Sequence, residues 1–175
     1  MEKGYVSSEF IVKSGRKKNA TITGYASVFG VVDFHNDIIV KGAFKKAKAN
    51  KIRLLWQHES KKPIGVITLL EEDEYGLKME AEINSNTVAG AEAAELVRQK
   101  AICGLSIGFV IESSNYNKEG IRVIDGINLM EVSIVTFPAN RSAEIQAIKN
   151  RDKEKGSYEE SLDTLQGLIK KLENY

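Results

Sequence analysis

The chain has 175 residues, enough for one domain, and its 42% hydrophobic and 28% charged residues are ordinary for a globular protein. Its 25 Lys and Arg residues balance 24 Asp and Glu residues, so we expect no binding to nucleic acid or to anionic membranes. The single cysteine excludes an internal disulfide, and neither a membrane span of about 20 apolar residues nor a signal-peptide core is present, so we expect a soluble intracellular domain.

Most of the chain is predicted to form short β-strands. Segments rich in β-branched and aromatic residues predict strands over 5–14, 20–30, 51–60, 63–73, 76–84, 101–113, 121–130 and 131–137. Residues 63–73 and 76–84 are predicted to form a hairpin, in which Gly76 is available for a positive φ.

Two segments are predicted to be helical. Residues 40–50 suggest a short helix, and residues 87–100 place apolar residues at helical spacing, with Val88, Ala91, Ala94 and Val97 on one face. Many strands with two short helices predict an α+β, mainly β fold, a small closed or partly open β-barrel ringed by a few short helices.

The last 25 residues form a separate unit in this interpretation, in which 1–150 is the main domain and 151–175 a charged linker followed by an amphipathic helix. Leu162, Leu165, Ile169 and Leu172 are spaced 3, 4 and 3 residues apart, as in a helix seam. Such a helix has to bury this face, either on its own domain or on a partner, which could be a second copy of the chain.

Ser106 lies between Gly104 and Gly108 in a G-x-S-x-G pattern, which is typical of the nucleophile elbow of α/β-hydrolases. An elbow needs a following helix and a later histidine, but the next residues continue as a strand, and His35 and His58 both precede the serine. The elbow interpretation is therefore excluded, although triads occur in other chain orders. Ser106 also fits a simple strand serine whose glycines mark a bulge.

His58 and Glu131 are the side chains that could assist Ser106. His58 is predicted to end a strand on the same face as Trp56, and imidazole accepts a hydroxyl proton near neutral pH. Glu131 is the one carboxylate in "LMEVSIVTFPAN", where a half-buried acid needs a partner such as imidazole. The simpler alternative for His58 is a surface histidine. For Glu131 it is a partly solvent-exposed strand face that it shares with Ser133.

Other chemistry has less support in the sequence. Cys103 is predicted on the strand face opposite Ser106, as an inert buried thiol. One cysteine and two widely separated histidines have no metal-ligand spacing, so neither a metal nor a cofactor is predicted.

Four segments together resemble a known family. "GYASVFGVVDFHNDIIVKGAF", "LLWQHESKKPIGVI", "GLSIGFV" and "LMEVSIVTFPAN" resemble, in order between about Tyr5 and Asn150, the signature blocks of tailed-phage prohead (capsid maturation) serine proteases. That family is similar in fold to the herpesvirus maturation protease, a β-barrel ringed by helices. Asn36 and Lys41 stand where the family pattern has glycine and proline, and Asn36 tolerates a left-handed backbone.

The resemblance implies a serine endopeptidase with Ser106 as nucleophile, His58 as general base and Glu131 as the group that orients the imidazole. Glu131 stands where herpesvirus-type enzymes carry a second histidine. The implied substrates are the scaffold protein, the major capsid protein and the protease itself, inside the immature phage capsid in the bacterial host cytoplasm. A backbone N–H near Asn140 or the Arg141 side chain is a candidate oxyanion donor.

Two alternatives of other classes stay open at this point. A non-catalytic β-barrel of the virion would not need Ser106 and His58 to meet. A thiol-dependent hydrolase would use Cys103 in place of Ser106.

Overall fold

The computed structural model describes residues 19–150, which form eight strands, one α-helix and a 3-10 turn. In chain order the elements are β1 Ala20–Val28, β2 Asp37–Ile39, the 3-10 turn Ala49–Lys51, β3 Arg53–Trp56, β4 Glu59–Glu72, β5 Gly76–Ile83, α1 Val88–Arg98, β6 Gly104–Tyr116, β7 Arg122–Val135 and β8 Ile145–Asn150. The strand predicted over 5–14 and the helix predicted within 151–175 lie outside the described residues.

The strands form one sheet in the order β2-β7-β3-β4-β5-β1-β8, with β6 paired to β7. The sheet curls until its far edge meets the start of β6, where Gly104 and Glu144 form an isolated antiparallel bridge. Two backbone hydrogen bonds of 2.8 Å flank that bridge, from Leu105 N to Ala143 O and from Ile145 N to Cys103 O. The predicted mainly β class and partly open barrel are therefore confirmed.

The core lies inside the curled sheet, because alternate side chains of each strand point to its concave face. Its largest fully buried residues come from most of the strands, among them Ile22, Leu54, Ile64, Met79, Leu105 and Ile134. Helix α1 begins after Thr87, whose hydroxyl accepts from Gly90 N at 3.1 Å as an N-cap.

Helix α1 buries Ala94 and Val97 of the predicted face but not Val88 and Ala91. Its buried residues are Gly90, Ala93, Ala94 and Val97, whereas Val88 is 78% exposed. Small residues on this face let the helix approach the sheet closely. No helix among residues 19–150 is long and apolar enough to cross a membrane.

The structure corrects two local predictions. Residues 40–50 form successive turns instead of a helix, with i to i+3 hydrogen bonds such as Ala43 N to Val40 O, and Gly42 adopts a φ of 95° that a helix cannot contain. Gly76 does not have a positive φ. Glycine is required at position 76 because any Cβ there would collide with the Ser27 carbonyl oxygen of the neighbouring strand.

An ion pair with a buried carboxylate and a partly exposed guanidinium joins β2 to the start of β7. Asp37 is 4% exposed and directly opposite Arg122, which donates from Nε and from a terminal guanidinium nitrogen to its two carboxylate oxygens, each at 2.7 Å. These hydrogen bonds raise the pKa of Arg122 above its ordinary value. Asn36 adopts the left-handed conformation expected from its sequence, at φ 61°, and its carbonyl accepts from Arg122 N at 3.3 Å.

We expect Arg122→Met to lower the thermal unfolding midpoint more than the double variant D37N/R122M, because the single change leaves a buried carboxylate unpaired. Arg122→Lys should fall between the two, since it keeps the charge but loses the two-point geometry. Calorimetry of the three variants and the wild type tests the order. A double variant no more stable than Arg122→Met would contradict this account of the pair.

Candidate active site

The candidate residues all lie on or beside strand β7, which pairs with β6 along one edge and with β3 along the other. On the β6 side, Ser106 is directly opposite Ser133, and Gly108 is opposite Glu131. On the β3 side, Leu55 is opposite Ser133, and the chain reaches His58 three residues later. Residues directly opposite in neighbouring strands project from the same face, so this register places Ser106 and Glu131 on one face of the sheet, beside the turn that carries His58.

His58 lies in a tight turn and not, as predicted, at the end of a strand. Strand β3 ends at Trp56, which pairs with Glu59 at the start of β4, so Gln57 and His58 form a two-residue hairpin loop. Both residues have positive φ, 51° and 60°, as a type I′ turn requires. Residues with long or bulky side chains rarely adopt this conformation, which costs on the order of 1 kcal/mol each.

Hydrogen bonds to the end of β7 hold this strained turn. Gln57 N donates to Ile134 O at 3.0 Å, and His58 N donates to Ser133 Oγ at 3.0 Å. The Gln57 side-chain amide donates to Thr136 Oγ1 at 2.8 Å and accepts from Thr136 N at 3.3 Å. The turn is therefore fixed to the strand that carries Glu131.

The imidazole of His58 contacts the Glu131 carboxylate. His58 Nδ1 lies 2.6 Å from Glu131 Oε1, and the Glu131 side chain is 13% exposed whereas that of His58 is 44% exposed. The carboxylate only accepts hydrogen bonds, so Nδ1 carries the hydrogen and Nε2 is the nitrogen left to act as a base. The second oxygen, Glu131 Oε2, accepts from Ser133 Oγ at 2.7 Å.

Ser106 and His58 line one cleft of about 570 Å³. Ser106 is 7% exposed, and the structure records no hydrogen bond between its hydroxyl and His58 among residues 19–150, as is common in ligand-free active sites. The cleft walls carry both apolar and polar side chains. The apolar ones are Ile107, Phe109, Phe34 and Phe137, and the charged ones are Asp33, Asp37 and Arg122. Such a cleft can hold an extended peptide beside the serine.

The two glycines of the G-x-S-x-G pattern make room for other parts of the site. A Cβ on Gly108 would lie within 3.0 Å of the carboxyl carbon of Glu131. A Cβ on Gly104 would lie 2.7 Å from Val135 O and 2.8 Å from Pro138 Cδ. The glycine after the serine therefore leaves space for the acid beside the histidine, whereas the one before it lets the loop that carries Pro138 pack on β6.

Cys103 does not occupy the buried position predicted for it. It is exposed and lines a second groove of about 460 Å³, together with residues such as Thr136 and Pro138. His58 does not line this groove, so the thiol has no imidazole beside it.

The described residues also contain no group of three or more His, Cys, Asp or Glu side chains that could hold a metal ion.

The two candidate oxyanion donors, at Asn140 and Arg141, contact other groups. Asn140 lines the cleft and donates from Nδ2 to Val28 O at 2.8 Å, and the Arg141 guanidinium lies 4.6 Å from the centre of the Phe34 ring. Sequence reasoning missed Ser133 and Gln57 as parts of the site. For Ser133, the available signal was its position two residues after Glu131, on the same strand face.

Residues 8–157 match the family described as the caudovirus prohead serine protease. Three phage proteins are also similar to this chain. The chain is 35% identical over 146 residues to the prohead protease of Enterobacteria phage HK97, covering 79% of this chain and 64% of that protein. It is 29% identical over 136 residues to the prohead protease of Escherichia phage T5, covering 74% and 63%. It therefore spans slightly less than two thirds of these relatives.

The third relative is the capsid polyprotein of Pseudomonas phage PAJU2, 29% identical over 151 residues, covering 82% of this chain and 22% of that protein.

Two solved structures share the fold. The bacteriophage T4 capsid assembly protease superposes with a TM-score of 0.53 at 18% identity, covering 67% of this chain and 82% of that chain. The KSHV protease in complex with a hexapeptide phosphonate inhibitor superposes with a TM-score of 0.52 at 13% identity, covering 76% and 66%. At these identities the likeness concerns the fold alone, and it confirms the herpesvirus-protease-like architecture predicted from the sequence.

Gly108→Ala is expected to displace the Glu131 carboxylate from His58, because the new methyl group would lie within 3.0 Å of its carboxyl carbon. Gly104→Ala is the matched change on the same strand, and we expect it to cost about 1–3 kcal/mol because it meets backbone and a proline ring. Denaturant unfolding measures the stabilities, and the NMR signal of the His58 Nδ1 proton reports the contact. An unchanged signal in the Gly108 variant would contradict the first expectation.

Proposed function

Because this chain belongs to the caudovirus prohead serine protease family, we propose that it is a serine endopeptidase of phage capsid maturation. Ser106 is the nucleophile, His58 the general base and Glu131 the group that orients the imidazole. The observation that carries the proposal is the 2.6 Å contact between His58 Nδ1 and Glu131 Oε1 at the wall of the cleft that Ser106 also lines.

The first chemical step forms an acyl-enzyme. His58 Nε2 takes the proton of the Ser106 hydroxyl as its Oγ attacks the peptide carbonyl carbon. Glu131 stays ionised, holds the hydrogen on Nδ1 and stabilises the imidazolium that forms. The imidazolium then gives its Nε2 proton to the departing amine, the C–N bond breaks, and the acyl group remains on Ser106.

The second step regenerates the enzyme. Water enters the position of the departed amine, and His58 removes its proton as it attacks the ester carbonyl. The C–O bond to Ser106 breaks, and the proton returns to Oγ. The reaction needs neither a metal ion nor a cofactor.

The proposed substrates are the scaffold protein, the major capsid protein and the chain itself, cut inside the immature capsid in the bacterial host cytoplasm. Two relatives are named prohead proteases and a third a capsid polyprotein, which supports substrates of the assembling shell. Phe34 and Phe137 are exposed at the cleft, where the side chains of a bound peptide can cover them.

A thiol-dependent hydrolase and a non-catalytic virion barrel are the competing functions. The contacts of His58 favour the serine, because His58 lines the cleft of Ser106 and not the groove of Cys103. Labelling with a fluorophosphonate followed by peptide mapping, together with the cleavage activity of Cys103→Ser, separates the three. We expect the label on Ser106. A thiol enzyme would lose cleavage in Cys103→Ser, and a non-catalytic barrel would neither take the label nor cleave.

Ser106→Ala is expected to reduce turnover by about 10⁴ to 10⁶ while the fold remains intact, because the proton acceptor then has no nucleophile beside it. Self-processing and scaffold cleavage, followed by gel electrophoresis, are the measurements. Cys103→Ser is the control on the same segment and should leave both nearly unchanged. Normal cleavage by the Ser106 variant would end the serine-protease proposal.

Glu131→Gln should lower kcat by about 10² to 10⁴, because the amide keeps the shape but removes the charge that stabilises the imidazolium. Glu59→Gln is the control, since Glu59 follows the same turn but pairs with Lys62 at 2.9 Å and does not line the cleft. Steady-state kinetics on a peptide substrate compares the two. Equal losses would mean that the charge of Glu131 has no special role.

A further inference from the structure

We propose that Ser133 is a positioning residue of this site, whose single hydroxyl fixes both the Glu131 carboxylate and the backbone of the His58 turn. The inference rests on the proposed function, because it assigns a role within the same catalytic group. It extends the group from three side chains to four, with the fourth acting through its neighbours and not on the substrate.

Ser133 is fully buried, at 0% exposure, and its hydroxyl uses both hydrogen-bonding functions inside the site. It accepts from His58 N at 3.0 Å and donates to Glu131 Oε2 at 2.7 Å. A buried hydroxyl that both donates and accepts is held in one orientation. The Ser133 hydroxyl on β7 therefore holds both the Glu131 carboxylate and the turn that carries His58.

Both tied groups need such a restraint. Glu131 is beside Gly108, which has no side chain to pack against the carboxylate, so the bond from Ser133 holds the oxygen that does not contact His58. His58 has a positive φ, and a hydrogen bond to its backbone N–H helps to hold the turn in that conformation. If the hydroxyl is removed, the carboxylate is free to rotate and the turn loses one of its anchors.

Ser133 is not a second nucleophile. It does not line the cleft and is closed to a substrate, whereas Ser106, directly opposite it on β6, lines the cleft. A displacement of the imidazole by about 1 Å is enough to cost about 100-fold in rate. A loss of that size without a change in binding is thus the signature of a positioning role.

The test measures how fast a fluorophosphonate probe labels Ser106, with the maximal inactivation rate and the half-saturating concentration determined separately. We expect Ser133→Ala to lower the maximal rate about 10- to 100-fold at unchanged half-saturation. Ser85→Ala is the control: Ser85 is also buried, and its hydroxyl has no hydrogen-bond partner within residues 19–150. That control should label like the wild type.

The double variant H58A/S133A gives the decisive comparison. If Ser133 acts through His58, removing its hydroxyl changes the labelling rate of His58→Ala by less than about twofold, because the group it positions is already gone. A further 10-fold loss in that background would overturn the proposal. The NMR signal of the His58 Nδ1 proton should also weaken in Ser133→Ala.

A second variant covers a failure of Ser133→Ala to fold. In Ser133→Cys the new side chain is close in size to serine, but its thiol is a weaker hydrogen-bond donor. Its labelling rate should therefore lie between those of the wild type and the alanine variant. A wild-type rate in a folded cysteine or alanine variant would overturn the proposal. The proposed function fails separately. If labelling does not depend on Ser106, the enzyme assignment is wrong, whereas labelling that depends on Ser106 and His58 but not on Ser133 removes the positioning role alone.

Discussion

Strand β7 pairs with β3 in parallel and with β6 in antiparallel orientation, and every contact of the candidate site follows from that arrangement. The antiparallel register sets Ser106 opposite Ser133, and the parallel register ends β3 where its turn can bond to the same serine. A shift of either register by one residue would turn these side chains to opposite faces. The hydrogen-bonded strands of the barrel thus also hold the candidate site in place.

The geometry carries local costs that the surrounding strands offset. Gln57 and His58 adopt positive φ, and the Glu131 side chain, which carries a carboxylate, is only 13% exposed. The turn is bonded to β7 through two backbone N–H groups and the Gln57 side chain, and both oxygens of Glu131 accept hydrogen bonds or face the imidazole. Strain and buried charge of this kind persist only where the neighbouring structure over-determines them, which is common at active sites.

The G-x-S-x-G pattern shows how one short motif serves different folds for different reasons. In a nucleophile elbow the glycines allow a sharp turn between strand and helix. Here the serine lies within the long strand β6, and its glycines make room for Pro138 on one side and for Glu131 on the other. The motif is therefore informative only together with the strand that lies across from it.

The sequence by itself determined most of the elements and the candidate chemistry, although it predicted neither β2 Asp37–Ile39 nor β8 Ile145–Asn150. β-Branched and aromatic residues predicted a strand over 20–30, observed as Ala20–Val28, and helical spacing predicted a helix over 87–100, observed as Val88–Arg98. Residue type with family resemblance singled out Ser106, His58 and Glu131. These properties depend on neighbours along the chain or on the chemistry of one side chain. The acid could be chosen because a carboxylate in an apolar strand needs a partner, and in the structure it contacts His58.

Only the tertiary structure decided how these residues are held. The backbone of His58 depends on the register of a two-residue hairpin, the exposure of Cys103 on where the strand begins, and the role of Ser133 on which strands flank it. Likewise, the spacing of α1 was predicted but its buried face only in part, because packing on the sheet selects that face. Such contacts join residues distant in sequence, 75 positions apart for His58 and Ser133, so no local pattern encodes them.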